Sequence, residues 1–144
     1  MFSDKEREYL KSQRLARVAT VSKRGQPDVA PVSFMLDGDR LVIPSIDMEK
    51  TLKYKNIRNG GALVAVVVDD VESARPFRPR GIKMHGAAEL VEMEGPLGHG
   101  LNIVVTPRRV WSWGIDRESF ENGKPLLKVR DLEAGSESVI RLGK

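Results

Sequence analysis

Apolar and polar positions along this chain change period several times, and each change predicts an element. Ser3-Asp4-Lys5-Glu6 has capping-box spacing, so a short helix to about Gln13 follows. Leu15 to Ser22, rich in Ala and Val with Arg17 its one charge, reads as a strand. Lys23 to Pro27 is a turn. Asp28 to Leu36 reads as a second strand, and Pro31 inside it marks an edge or a bulge. Asp37-Gly38-Asp39 closes a hairpin to a third strand, Arg40 to Ile46.

The period then becomes helical. Asp47 is placed as an N-cap and Glu49 to Arg58 as a helix, stopped by Asn59-Gly60-Gly61. Ala62 to Val68 is a nearly unbroken run of β-branched residues and alanine, which predicts a strand buried on both faces. Asp69 to Pro79 reads as a loop, and Arg80 to Val91 as a long strand bent at Gly86. Glu92 to Gly100 reads as a second loop. Leu101 to Thr106 and Arg109 to Gly114 follow as two strands broken at Pro107. The remainder is weakly patterned, with one strand at Ser138 to Leu142. These hairpin-linked strands, with two short helices, favour a mainly β, antiparallel barrel over a βαβ sheet.

Composition narrows the chemistry. The 144 residues suit one domain. No apolar run is long enough to span a membrane as a helix, and the charged first 14 residues do not read as a signal peptide. A cytoplasmic location is the resulting expectation. There is no cysteine, and the only histidines are His85 and His99. Thiol nucleophiles and thiolate metal sites are therefore excluded, and no metal site is expected. Neither GxGxxG nor GxxxxGK[ST] occurs, which argues against a dinucleotide Rossmann site and a P-loop. With side-chain chemistry so thinly supplied, a borrowed cofactor is the natural alternative. No catalytic acid or base stands out.

Four segments are candidates for holding that cofactor. Lys50 to Arg58 carries four cations and no anion. On the predicted helix Lys50 and Lys53 share a face, and Thr51 lies in the first turn among unpaired N–H groups, a combination suited to a phosphate. Its alternative is a solvated helix face. Ala30-Pro31-Val32-Ser33-Phe34 presents an uneven edge that suits a flat ring, or is an ordinary barrel strand. Trp111 and Trp113 lie on one face of their strand and either wall a ring, fill a subunit contact or pack in the core. Arg75 to Gly81 holds three arginines between prolines and either grips an anionic tail or is solvated.

Taken in order, these segments resemble the pyridoxamine-phosphate-oxidase-like split-barrel superfamily, and more closely its deazaflavin (coenzyme F420) dependent oxidoreductases. The resemblance runs from Tyr9-Leu10-Lys11-Ser12-Gln13-Arg14-Leu15-Ala16-Arg17-Val18-Ala19-Thr20-Val21 to Trp111-Ser112-Trp113-Gly114. Between them it includes Gly25-Gln26-Pro27, Pro31 to Phe34, Lys50-Thr51, Lys53 to Arg58 and Arg78-Pro79-Arg80-Gly81. It implies a Greek-key, antiparallel split barrel that forms a homodimer, with cofactor sites at the subunit contact. By position, Lys50, Thr51, Lys53 and Asn56 would meet the cofactor phosphate. Pro31, Val32, Ser33 and Phe34 would flank the ring, and Arg80 and Trp113 would reach in from the partner subunit. The whole of 1–144 is taken as one split-barrel domain, with 117–144 a C-terminal extension to which the resemblance assigns no role. The arginine-containing Leu-Leu-Lys strand motif of vitamin B6 oxidases is missing: the corresponding strand reads Leu41-Val42-Ile43-Pro44-Ser45.

The function implied is hydride transfer between F420, or alternatively FMN, and a small organic substrate. A non-catalytic cofactor-binding protein is a further reading. A nucleic-acid-binding barrel is disfavoured, because the net charge is only +4 and the aromatics Phe2, Tyr9, Phe77 and Phe120 fall outside the expected strands.

Overall fold

The computed structural model describes residues 1–143. It opens with the expected capping box. The Ser3 hydroxyl accepts from the Glu6 N–H at 3.1 Å and the Glu6 carboxylate accepts from the Ser3 N–H at 2.8 Å, starting helix α1 (Asp4–Ser12). The strands that follow are β1 (Leu15–Val21), β2 (Pro27–Ser33), β3 (Met35–Asp37) and β4 (Arg40–Ile43). A 3₁₀ turn (Met48–Lys50) leads into helix α2 (Leu52–Arg58). Next come β5 (Leu63–Ala74), β6 (Phe77–Gly95), β7 (Gly98–Trp113), β8 (Phe120–Glu121), β9 (Lys124–Asp131) and β10 (Ser136–Arg141).

All pairings are antiparallel, and the main sheet runs β10-β9-β7-β6-β5-β1-β2. The expected second strand is bent at Phe34 into β2, which pairs with β1, and β3, which pairs with β4. Because β4 also pairs with β7, this bend brings the curled sheet round into a split barrel. Inward residues such as Val18, Leu41, Ile43, Val66, Val68, Ile82, Met84, Ile103 and Val105 are all but inaccessible and form its core.

Several elements differ from expectation for identifiable reasons. The segments read as loops at Asp69–Pro79 and Glu92–Gly100 are the polar arms and tips of two long hairpins. Ladder hydrogen bonds carry these arms where no core faces them, so no apolar alternation marks them. Strand β7 runs through Pro107, because the register shifts between His85 and Gly86 and leaves a bulge where a proline is tolerated. Strand β9 lacks apolar alternation because two of its inward positions, Lys128 and Arg130, are charged; they are partnered by Asp116 and Glu6. β5 is buried on one face only. Val64, Val66 and Val68 point inward, while Leu63 on the other face is 62% exposed.

Candidate functional site

The cationic segment is built differently from a single helix. Asp47 makes no side-chain cap, and the backbone leaves helical geometry at Thr51 (φ −83°, ψ 150°). Thr51 is itself the N-cap of α2: its Oγ1 accepts from the Tyr54 N–H at 3.2 Å and donates to the Met48 carbonyl at 2.7 Å. Lys50 therefore ends the 3₁₀ turn and Lys53 sits in the first turn of α2, so the two flank the cap rather than share one helix face.

Lys50 is exposed on the wall of an open hollow of about 860 Å³. The loop from Pro44 to Lys50 forms one side, and the β6–β7 hairpin, with Glu92 and Leu97 to Asn102, forms the other. Ile46, 92% exposed, and Leu97, 62% exposed, give it apolar surface. Although no anion lies within Lys50 to Arg58, the tertiary structure brings Asp47, Glu49 and Glu92 to the same hollow. Lys53 is half-buried. Burial lowers its pKa below the ordinary lysine value, and the field of Asp28 on β2 offsets part of that fall.

Asn56 faces the barrel. It is 5% exposed, and its amide donates to the Thr20 hydroxyl at 2.9 Å. Its main-chain carbonyl accepts from Gly61 N–H. Tyr54 is buried and its hydroxyl accepts from Arg58 at 2.6 Å.

β2 ends the strand order, so one of its edges lacks a strand partner. Pro31 and Ser33 are exposed on the outer face, Val32 is buried in the barrel, and Phe34 packs partly against the core at the bend. The four residues therefore divide between the two sides of the sheet.

The two tryptophans lie on the outer face of β7, since the intervening Val110 and Ser112 are buried. Trp111 is surrounded by Lys83 (4.3 Å from the ring centroid), Arg109 (5.1 Å) and the His85 ring (4.7 Å). Trp113 lies over Gly81, its partner across the β6–β7 ladder, where a Cβ would collide with the indole.

Arg80 is engaged within its own chain. Its Nε and Nη2 donate to the two oxygens of Asp70 at 2.8 and 3.0 Å, and its guanidinium lies 5.0 Å from the Tyr9 ring. The bond from Arg80 holds the Asp70 carboxyl below the usual carboxylate range. Burial, and then the hydrogen bond to Asp70, raises the Tyr9 phenol well above its ordinary value. Tyr9, Thr20, Asp28 and Asp70 are the neighbours sequence reasoning missed. Tyr9 stands 71 positions from Arg80, Thr20 36 from Asn56 and Asp70 10 from Arg80, and nothing local signals such contacts. His99 lies between Glu92 and Glu94 at the exposed hairpin tip, 3.6 and 3.5 Å away.

The family profile of pyridoxamine 5'-phosphate oxidase matches residues 2–119. The chain belongs to the pyridoxamine 5'-phosphate oxidase family. Within it, the chain is 36% identical over 121 residues to a 5a,11a-dehydrotetracycline/5a,11a-dehydrooxytetracycline reductase of Streptomyces rimosus, covering 80% of this chain and 84% of the relative. A solved F420 reductase is similar at 26% identity, with TM-score 0.55 and coverage of 72% of this chain and 94% of that one. A pyridoxamine 5'-phosphate oxidase-related, FMN binding protein of Nostoc punctiforme shares the fold at 11% identity. Its TM-score is 0.63, with 96% of this chain and 91% of that one covered. The protein is an oxidoreductase of this family, and its fold is the split barrel expected from the sequence. No helix among the described residues is long and apolar enough to cross a membrane.

Proposed function

We propose that the protein binds the deazaflavin F420, with FMN as the alternative, and exchanges hydride between that cofactor and a small unsaturated organic molecule. The observation that carries this reading is the placement of Lys50 and Lys53 on either side of the Thr51 cap, one on a hollow and one half-buried. The likeness to an F420 reductase and to a dehydrotetracycline reductase supports it.

A bound flavin or deazaflavin supplies the hydride chemistry, and the chain's residues supply binding, orientation and exclusion of water. Lys50 and Lys53 hold the phosphate as charged donors, and Thr51 keeps the turn between them in shape. The outer side chains of Pro31 and Ser33, with the unpartnered edge of β2, receive the ring. Val32 and Phe34 fix that edge from the core side. Trp113 extends the outer face as an apolar wall. Arg80 buttresses β5 and β6 through Asp70, so any part it plays at a partner's site is shared with that ion pair.

The same reading makes the protein a homodimer through the outer sheet face. Cross-strand register lines up Val29, Ala19 and Ala65 in one row, with Leu63 two residues from Ala65 on the same face. Val29 is 66% and Leu63 62% exposed, and such a row favours burial against a second copy.

The test is titration of the purified protein with F420 and with FMN, followed by fluorescence. Tighter binding of F420 supports the preferred cofactor, and tighter FMN binding selects the alternative. Lys50→Ala and Lys53→Ala should each weaken the tighter ligand by about tenfold or more, the scale of a lost charged hydrogen bond. Unchanged affinity in both variants removes the phosphate assignment.

A further inference from the structure

Resting on that reading of the phosphate site, we propose that Thr20 is a positioning residue. It pins α2 to the barrel from behind and thereby sets where Lys53 and the Thr51 turn stand.

Thr20 lies on β1, pointing inward and 3% exposed. It is the cross-strand partner of Asp28, the carboxylate whose field acts on Lys53. Its hydroxyl accepts the Asn56 amide proton at 2.9 Å, a bond between two buried side chains. Asn56 follows Lys53 by three residues, so both lie on the same side of α2. A second contact lies just beyond: a Cβ on Gly61 would stand 2.6 Å from the Val21 carbonyl and 2.8 Å from that of Asn56. Here the end of β1 and the end of α2 meet backbone to backbone. A helix of seven residues has almost no stability of its own, so its position is whatever its docking contacts dictate. Of those contacts, the Thr20–Asn56 bond is the directional one. Losing it would leave a buried amide unpaired and allow α2 to shift. Asn56, expected from the family resemblance to meet the phosphate itself, thereby acts through the helix it anchors.

The experiment compares a phosphate-bearing ligand with its phosphate-free counterpart: FMN with riboflavin, and F420 with its phosphate-free deazaflavin chromophore. Thr20→Val removes the hydroxyl at nearly constant shape, Asn56→Leu removes the same bond from the helix side, and Thr20→Ser retains it. Thr20→Val should weaken the phosphate-bearing ligand about tenfold, as expected for a tenfold-per-1.4 kcal/mol shift, and leave the phosphate-free one unchanged. Thr20→Ser should restore wild-type affinity. Asn56→Leu should reproduce Thr20→Val, and the double variant should be no worse than either.

Equal weakening of both ligands, which a general loss of structure would produce, overturns the proposal, as does no weakening of either. Asn56→Leu weakening phosphate binding well beyond Thr20→Val, or adding to it, also overturns it in favour of direct contact by Asn56. Should Thr20→Val fail to fold, Thr20→Ala, which also removes the hydroxyl, takes its place in the same comparison. If the wild-type protein itself does not distinguish phosphate-bearing from phosphate-free ligands, the cofactor reading fails first and this inference falls with it.

Discussion

Arg130 of β9 forms an ion pair with Glu6 of α1 across 124 residues, with Nη2 2.6 Å from Oε1 and the carboxylate wholly buried. The same guanidinium donates to the Met1 carbonyl, and Glu6 also completes the capping box with Ser3. The C-terminal strands thus hold the N-terminal helix against the barrel. A buried pair contributes little net stability, but breaking it leaves an unpaired charge. Arg130→Ala should therefore lower the unfolding free energy by about 3–5 kcal/mol, measured by urea denaturation. A loss below about 1 kcal/mol, the scale of an exposed pair, would show that the clasp is loose in solution.

The pairing of Asp70 with Arg80 makes stability depend on pH. Asp70 titrates below its ordinary value of 3.8, so it stabilises the native state fully above that value. The contribution is lost as the pH falls through the lowered native pKa. Arg80→Gln removes the main cause of the shift. The variant should be less stable than the wild type at neutral pH, and the gap should narrow as the pH drops below about 4. Chemical denaturation at several pH values reads this directly, and a gap constant across that range would contradict the pairing.

Gly61 and Gly100 make a matched pair of substitutions. An alanine Cβ at Gly61 meets two carbonyl oxygens inside contact distance, whereas at Gly100 nothing lies within 4 Å. Gly61→Ala should cost roughly 1–3 kcal/mol, the range for overpacking. Gly100→Ala should fall within about 0.5 kcal/mol of wild type. Thermal unfolding of the two variants side by side is sufficient, and equal midpoints would refute the close approach of α2 and β1.

Association through the outer sheet face has its own test. Leu63→Glu places a charge beside the apolar row, on the same outer face, and leaves the inward Val64 and Val66 untouched. Light scattering after size exclusion should show a wild-type dimer and a largely monomeric variant. A wild-type monomer at high concentration would refute the dimer, and an unaffected dimer in the variant would move the contact elsewhere.

Local chemistry made much of this molecule legible in the sequence. The capping box of Ser3 and Glu6, the Asp37-Gly38-Asp39 turn and the β-branched run from Val64 to Val68 each depend on residues close in the chain, and all are in the structure. The ordered cationic and proline-bearing segments were enough to suggest the split barrel, which the family match bears out. Pattern alone did not show that one strand, bent at Phe34, serves two neighbours, because bending there is decided by which strands wait on either side. Nor did it show β9, whose inward Lys128 and Arg130 look solvated until Asp116 and Glu6 arrive from distant segments. At the candidate site the sequence supplied the cations and the hydroxyl. Only the fold decided that Thr51 caps a broken helix, that Lys53 stands within the field of Asp28, and that Asn56 turns inward to Thr20. The physical reason is range: caps and turns are settled within a few residues, whereas the partners of a buried polar group are settled by which strands the curled sheet brings together.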